Sequence, residues 1–487
     1  MPLTHPRQKF TINVVGSLVT MVVSVVVVPF YIRAIGTERY AMLALIWATF
    51  GMLGFMDLGM SRASTNALAR VDRMHSREIG EIFGTALISS LVLGCIGGMV
   101  IYLLSGWYIG TVHILSETVR AEVKAMTWCI SAMFPLTLAT GVATGAFDAH
   151  ERFLVSNVVQ VLSIVSMQVL PLAFAIFVTP KLTVILPVLL GARLVTSAAT
   201  FIYVISDQGG WSIIRVSRAR VGALFTFGGW LTVTNIVSPI MTSIDQFLIT
   251  SRLGAKFTTY YTVPSNVSGK MQFFSATMVR TFFPSFSRMA RQEALEVLAK
   301  STLSLSFLSA LIFAPVLVGS ELFFRLWLGN ELAAHVLPVA RILIVGAWIN
   351  GLAYMPYGFC QGQGRPDLVA KVHLCEVVPY LVCLLLLMRE YGIVGAALAW
   401  AIRATADLVA LWWLAGMPMR RLWSLAPSTC VVCLGLLGAI VLKGMLLVQF
   451  LAALGIGLAV LQLWRMCDPA LSRMVQERFA RLGAAGR

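Results

Sequence analysis

The sequence predicts an all-α polytopic membrane protein: fourteen transmembrane helices, built as two parallel six-helix repeats plus two C-terminal helices, with both termini cytoplasmic. Three observations predict it. Hydrophobic residues make up 58% of the 487 and charged residues only 12%, and the apolar residues fall in runs of about 20, the length that crosses a ~30 Å hydrocarbon core. With a cytoplasmic N-terminus, alternate loops collect 23 Lys and Arg against nine on the opposite side, the bias that sets orientation. Arginines also recur at a nearly constant distance: Arg62 and Arg280 are 218 positions apart, Arg70 and Arg288 218, Arg152 and Arg365 213, and Arg193 and Arg403 210.

Taken in order, the run 11–32 is too long for a signal-peptide core and lacks a small-residue cleavage site before Tyr31, so it reads as a retained helix with Pro29 near its end. The second run, 41–61, contains an acid, Asp57. Runs 82–106 and 124–146 follow; Gly94-x-x-x-Gly98 in the first is, like Gly358-x-x-x-Gly362 further on, a small-residue face that suits either a helix dimer or, in a bundle of fourteen, close packing within one chain, and Pro135 lies in the second. Run 153–178 carries Pro171, and run 182–205 carries Pro187 and an arginine, Arg193, in the stretch ILPVLLGARLVTSAATFIYV. The second copy begins at 221–250, with Gly228-Gly229, Pro239 and Asp245, and continues at 258–284 with Lys270. Runs 301–326 (Pro315) and 336–360 (Arg341, Pro356) lead to 367–388, which holds His373, Glu376 and Pro379. Run 392–415 holds Arg403 and Asp407, four apart on one helix face and able to pair with each other. Runs 425–442 and 445–465 lie outside the repeat. Proline and glycine inside the spans are expected to supply bends.

These runs divide the chain into an N-lobe (1–205), a basic cytoplasmic linker (206–220), a C-lobe (221–415), two further helices (416–465) and a tail (466–487). In the tail, Asp468-Pro469 reads as an N-cap and first-turn proline before Leu471, Met474, Val475, Phe479 and Leu482 at helical spacing, a helix expected on the cytoplasmic leaflet. Six helices per copy is an even number, so both copies enter the membrane in the same orientation, related by an axis along the membrane normal. Gly36 matched with Gly254, and Gly145 with Gly358, add to the duplication.

Composition excludes several classes. The formal charge of +16 would raise nucleic acid as a partner for a soluble protein, but loop topology accounts for it. The eight cysteines lie in or beside apolar runs, and Cys430-x-x-Cys433 has no His or further Cys to complete a four-ligand zinc site, so no metal is expected and the cysteines read as small buried hydrophobes. Gly362-x-Gly364 lacks the strand and lysine of a phosphate loop. A membrane glycosyltransferase or glycan polymerase needs a sizeable outer loop or neighbouring carboxylates; here the outer loops are short and the acids scattered, so no enzyme is expected.

What remains is charge at membrane depth, which costs at least ~2.5–3.5 kcal/mol per group and usually faces a partner or a wet cavity. Arg193, Arg403, Arg341 and Lys270, with Arg62 and Arg280 at helix ends, would suit an anionic cargo, because guanidinium grips phosphate oxygens bidentately. A diphosphate is the natural candidate. Asp57, Asp245, Glu376 and Asp407 are then either counter-ions to these bases or groups that bind a proton or sodium ion for coupling. Arg193 has no acid on its own helix between Lys181 and Asp207, so it needs a partner across the bundle, a snorkelling route or an anionic ligand.

The chain reads Asn13-x-x-Gly16, then Pro29-Phe-Tyr31-Ile-Arg-Ala-Ile-Gly36-Thr-Glu38-Arg-Tyr40, then Phe55-Met-Asp57-Leu-Gly59-Met. Further on come Ile244-Asp245-Gln-Phe-Leu, Leu253-Gly254, Tyr260, Gln361-Gly-Gln-Gly364-Arg365-Pro366 and Gly392-x-x-Gly395-Ala-Ala-Leu-Ala399. These segments resemble the polysaccharide or lipid-linked oligosaccharide flippases (O-antigen, capsule and exopolysaccharide exporters) of the multidrug/oligosaccharidyl-lipid/polysaccharide exporter superfamily. Tyr40-Ala41 departs from the family's frequent Tyr-Gly. The resemblance implies two six-helix lobes around a central cavity and transfer of an undecaprenyl-diphosphate-linked glycan to the outer leaflet of the bacterial inner membrane. Implied partners are the lipid-linked glycan, membrane lipids, a polysaccharide polymerase and export machinery, with no cofactor beyond a coupling proton or sodium ion. A peptidoglycan-precursor flippase and a multidrug cation antiporter are the alternative readings, the latter favouring acids over the bases found here.

Overall fold

The computed structural model describes residues 6–71, 76–112, 114–150, 152–207 and 215–467. Among them every regular element is helical, and ten helices are long and apolar enough to cross a membrane. The basic linker is described only at 206–207 and 215–220, and the tail beyond Cys467 lies outside the described residues.

The first helix, α1 (Pro6–Met52), has 47 residues, and α13 (Pro366–Leu414) has 49. At ~1.5 Å per residue a straight helix of that length would run ~70 Å, more than twice the hydrocarbon thickness, so each must change direction. Each does so at a glycine: Gly36 at φ 81°, ψ 165°, and Gly392 at φ 58°, ψ −135°. Such backbone is open only to a residue without Cβ. Proline, fixed near φ −65°, cannot supply it, which is why Pro29, Pro135, Pro171, Pro187, Pro239, Pro315, Pro356 and Pro379 all sit within helices while the sharp turns fall on glycine.

By contacts the chain divides into two units, Met1–Thr259 and Tyr260–Arg487. The first holds α1, a 3-10 turn (Leu53–Asp57), α2 (Met60–Leu68), α3 (Ser76–Thr111), α4 (Glu117–Ala149), α5 (Phe153–Phe177), α6 (Leu182–Asp207) and α7 (Arg218–Arg252). Here α4 is central and packs on α3, α6 and α2, around Met60, Phe83, Ala143 and Phe147. Gly94 and Gly98 bring α3 against Pro135 and Ser131 of α4, the close intrachain approach their spacing suggested.

The boundary falls inside α8 (Ala255–Met271). The second unit continues through α9 (Phe273–Arg288), α10 (Arg291–Val318), α11 (Ser320–Leu328), α12 (Asn330–Gly362), α13, a 3-10 turn (Met419–Leu425), α14 (Ala426–Val441) and α15 (Leu446–Cys467). Its centre is α10, packed on α9, α12, α14 and α15 around Phe307, Phe313, Trp348, Phe359 and Trp412. The last two helices are therefore built into this unit's core.

The duplication is visible in backbone more than in side chains. The first copy interrupts its second span at Leu53–Gly59, where Leu58 (φ 48°) and Gly59 (φ 71°) are left-handed; the second copy interrupts the matching span at Gln272, between α8 and α9. A shift of 218, that of Arg62 to Arg280, places Gly54 on Gln272. Gly145 lets α4 close on Ser61 and Thr65 of α2, while Gly358 lets α12 close on Val279 of α9, and the same shift places Ser61 on Val279.

One expectation needs correction. Among the cysteines whose side chains are described, only Cys129 and Cys360 are buried; Cys95, Cys375, Cys430 and Cys433 are exposed and Cys383 is intermediate. In lipid an outward face is as apolar as an inward one, so an apolar run does not announce which of its residues are buried.

Candidate functional site

Helices α5 and α6 form an antiparallel pair, joined by a short turn at 178–181. The start of α6 is pinned: the Leu182 N–H donates to Glu122 Oε2 (2.9 Å), and Arg39 donates to both oxygens of Glu122 (Nε 2.9 Å, Nη2 2.7 Å). Eleven residues on, from Leu182 to Arg193, the helix has risen ~16 Å, about half the hydrocarbon core. There Arg193 Nη1 donates to Ser163 Oγ of α5 (3.2 Å) and meets Met167 Sδ (3.7 Å), while its Nε is buried without a hydrogen-bond partner. Among the described residues no carboxylate pairs with it.

In the second unit α13 folds back at Gly392, and Arg403 again lies eleven residues beyond the turn. Its Nε stands 3.6 Å from Glu376 Oε2, and its Cζ lies over the Tyr380 ring at 5.8 Å. His373 Nε2 stands 3.6 Å from Asp407 Oδ1 and stacks on Tyr357 of α12, ring centroids 6.3 Å apart. The Arg403–Asp407 pairing that their spacing along one helix face allows is thus replaced by two pairs across the hairpin, both centred on Arg389–Glu390. All four side chains are largely buried, at 7–14% exposure.

The repeat spacing makes these one site in two versions. Adding 213, the spacing of Arg152 and Arg365, carries Ser163 to Glu376 and Met167 to Tyr380, while 210 carries Arg193 to Arg403 and Ser197 to Asp407. The arginine meets the equivalent neighbours in both units.

The remaining charges are dispersed. Arg341 lies beside Glu321 (3.9 Å) and Ser320 Oγ (3.5 Å). Lys270 is half-buried at the C-terminal end of α8 and forms no ion pair with a described residue; Arg62 and Arg280 are exposed and likewise unpaired among those residues. Asp57 accepts both the N–H (3.0 Å) and the hydroxyl (3.1 Å) of Ser61, stitching the broken second span. Asp245 is buried in α7, its Oδ1 accepting the Gln246 N–H.

Sequence reasoning passed over Glu321. It is fully buried, pairs with Arg325 (2.5 Å), and accepts from Gly444 N–H (3.0 Å) and Gln449 Nε2 (2.8 Å), tying α11 to α15 and engaging Arg341. Its signal was Glu321-x-x-x-Arg325, an ion-pair spacing on a helix. The Arg39–Glu122 pair, 83 residues apart, had no local signal. Among the described residues no group of three His, Cys, Asp or Glu is placed to hold a metal ion.

A family model described as "Polysaccharide biosynthesis protein" matches residues 7–290. A Shigella flexneri protein named "Putative O-antigen transporter" is 25% identical over 408 residues, covering 82% of this chain and 96% of its own. A Haloferax volcanii protein, "Probable low-salt glycan biosynthesis flippase Agl15", is 26% identical over 210 residues, covering 41% of this chain and 43% of its own. Among solved structures, the lipid II flippase MurJ in an inward closed conformation superposes at a TM-score of 0.72 with 12% identity, over 93% of this chain and 98% of that one. An inward-facing multidrug resistance MATE family transporter of the MOP superfamily superposes at 0.68 with 14% identity, over 83% of this chain and 95% of that one. At those identities the structures speak for the fold alone, but the family match spans more than half of the residues, and the chain therefore belongs to the polysaccharide biosynthesis protein family as a multi-pass membrane protein with the fold of these transporters.

Proposed function

We propose that this protein carries an undecaprenyl-diphosphate-linked oligosaccharide from the cytoplasmic to the outer leaflet of the bacterial inner membrane by alternating access, feeding surface polysaccharide assembly alongside a polymerase and export machinery. The observation that supports it most directly is Arg193: a guanidinium at mid-membrane depth whose described partners are a hydroxyl and a thioether. A charge left in that state is costly, at least ~2.5–3.5 kcal/mol, and a diphosphate would supply the missing counter-charge through bidentate hydrogen bonds. Arg403 is the corresponding base of the second unit, and Lys270, Arg341, Arg62 and Arg280 complete the cationic set. The prenyl tail stays in lipid, so only the diphosphate and sugars need a polar route. Energy comes from a proton or sodium gradient sensed by the embedded acids Asp57, Asp245, Glu376 and Asp407.

The test is deletion of the gene followed by analysis of lipid-linked glycans by leaflet. An undecaprenyl-diphosphate oligosaccharide is expected to accumulate on the cytoplasmic side and to clear when the wild-type gene returns. If no lipid-linked glycan accumulates, the reading fails; accumulation of a peptidoglycan precursor with loss of viability would move it to that cargo.

A further inference from the structure

The two versions of the arginine site differ in charge. In the first, the guanidinium meets Ser163 and Met167; in the second, it meets Glu376, with Asp407 and His373 one turn away across the same hairpin. Glu376 Oε1 and Oε2, Asp407 Oδ1 and Arg403 Nε are all buried without a hydrogen-bond partner. The packed neighbour α12 contributes Tyr357, stacked on His373, while its Arg341 lies beside Glu321 and its His335 stacks on Tyr260. Two carboxylates against one permanent cation leave a single negative charge when His373 is neutral. Buried charge of that kind is relieved by one added cation.

We propose that His373, Glu376 and Asp407 together bind one exchangeable proton, and that its uptake hands Arg403 from Glu376 to an anionic ligand; the handover rests on the cargo class proposed above. The geometry favours a proton over a metal cation, since the three groups do not converge as a metal-ligand set. The proton comes from water and forms one O–H or N–H bond within the cluster, whose titration belongs to the group as a whole. With the site deprotonated, Glu376 holds Arg403 by charge. With it protonated, that hold weakens and the guanidinium is free to grip phosphate oxygens. Met167 and Ser163 offer the first copy no such switch.

The experiment uses the full-length protein in detergent, following the carboxylic-acid C=O infrared band against pH, with and without farnesyl diphosphate as a soluble prenyl diphosphate. One titrating band is expected, lost in Glu376→Gln or in Asp407→Asn and displaced in His373→Gln, with monodisperse elution confirming that each variant folds. Farnesyl diphosphate should move the titration to higher pH, and its affinity should strengthen by up to roughly tenfold for each pH unit lowered across the transition, as one-proton linkage requires. Glu376→Gln should bind it tightly at every pH. A band that survives both carboxylate substitutions, or that follows sodium concentration instead of pH, overturns the proton site. Affinity indifferent to pH, or no binding at any pH, overturns the handover. Glycan accumulation on gene deletion is independent of all these outcomes, so the inference can fail while the cargo reading stands.

Discussion

Arg193 and Arg403 each lie eleven residues into the second arm of equivalent hairpins and touch equivalent positions, yet one faces a serine and a methionine and the other a glutamate and a tyrosine. The second arginine is compensated within its own fold, so its retention can be explained by the pair it forms. The first is not, and its retention asks for something the hairpin does not contain. Duplication thus produced two arginines but only one with a charge left over for an anion in the resting structure.

The largest effect should come from unbalancing the compensated copy. Arg403→Ala leaves Glu376 and Asp407 facing each other's environment without a cation, and removing one partner of a buried pair destabilises by ~3–5 kcal/mol. Thermal unfolding in detergent should show that loss, and the double variant Arg403→Ala/Glu376→Gln should recover most of it. Arg193→Ala strands no carboxylate and should unfold close to wild type. Equal losses for the two alanine variants would erase the contrast between the sites.

Export should depend on Arg193 even though stability does not. Arg193→Ala, present at normal protein level, should cut polysaccharide export about 100-fold if charge-assisted hydrogen bonds worth up to ~3 kcal/mol are lost, and Arg193→Lys should restore only part because a point charge replaces a planar fork. Ser163→Glu sharpens this further. It installs in the first hairpin the acid that the second already has at the equivalent position, so it should fold well yet depress export nearly as far as Arg193→Ala. Full export by Ser163→Glu would show that Arg193 does not need to be free.

The helical class, the order of most spans and the duplication were legible because they rest on hydrophobic run length and on charge spacing, both properties of the chain itself. The sequence divides each of the double-length helices α1 and α13 into two spans, since ~20 apolar residues suffice per crossing. What could not be read was partner choice. Arg403 and Asp407 are four apart and look paired, but the register of the hairpin sends one to Glu376 and the other to His373. Likewise, Glu321 sits in a segment counted as apolar, and its partners Gly444 and Gln449 lie more than a hundred positions away. Long-range pairing depends on helix packing, which apolar periodicity in a lipid-facing helix does not encode.

The turns that set up the two hairpins provide the next, smaller contrast. In the second copy the reversal is made by backbone alone, at Gly392, whose φ of 58° with ψ of −135° is strained for any residue with a Cβ. Gly392→Ala should destabilise by ~1–3 kcal/mol and, by shifting the register of the arms, also weaken the Glu376–Arg403 pair.

In the first copy the same job is done by side chains: Glu122 accepts the Leu182 N–H at the start of α6 and is itself held by Arg39. Glu122→Gln keeps a carbonyl oxygen for Leu182 and removes the charge and, with it, the acceptor for Arg39 Nη2. With Arg39 at 23% and Glu122 at 10% exposure, solvent screens part of that interaction, so the loss should be about 1 kcal/mol, the upper end for pairs near a surface, measurable as a small fall in melting temperature. Export should be nearly unchanged, because Arg193 lies about three helical turns further along α6 and depends on α5 for its contacts. A large loss of export without a large loss of stability would mean that the Arg39–Glu122 pair positions Arg193 after all, and that the first hairpin, like the second, is controlled by a carboxylate.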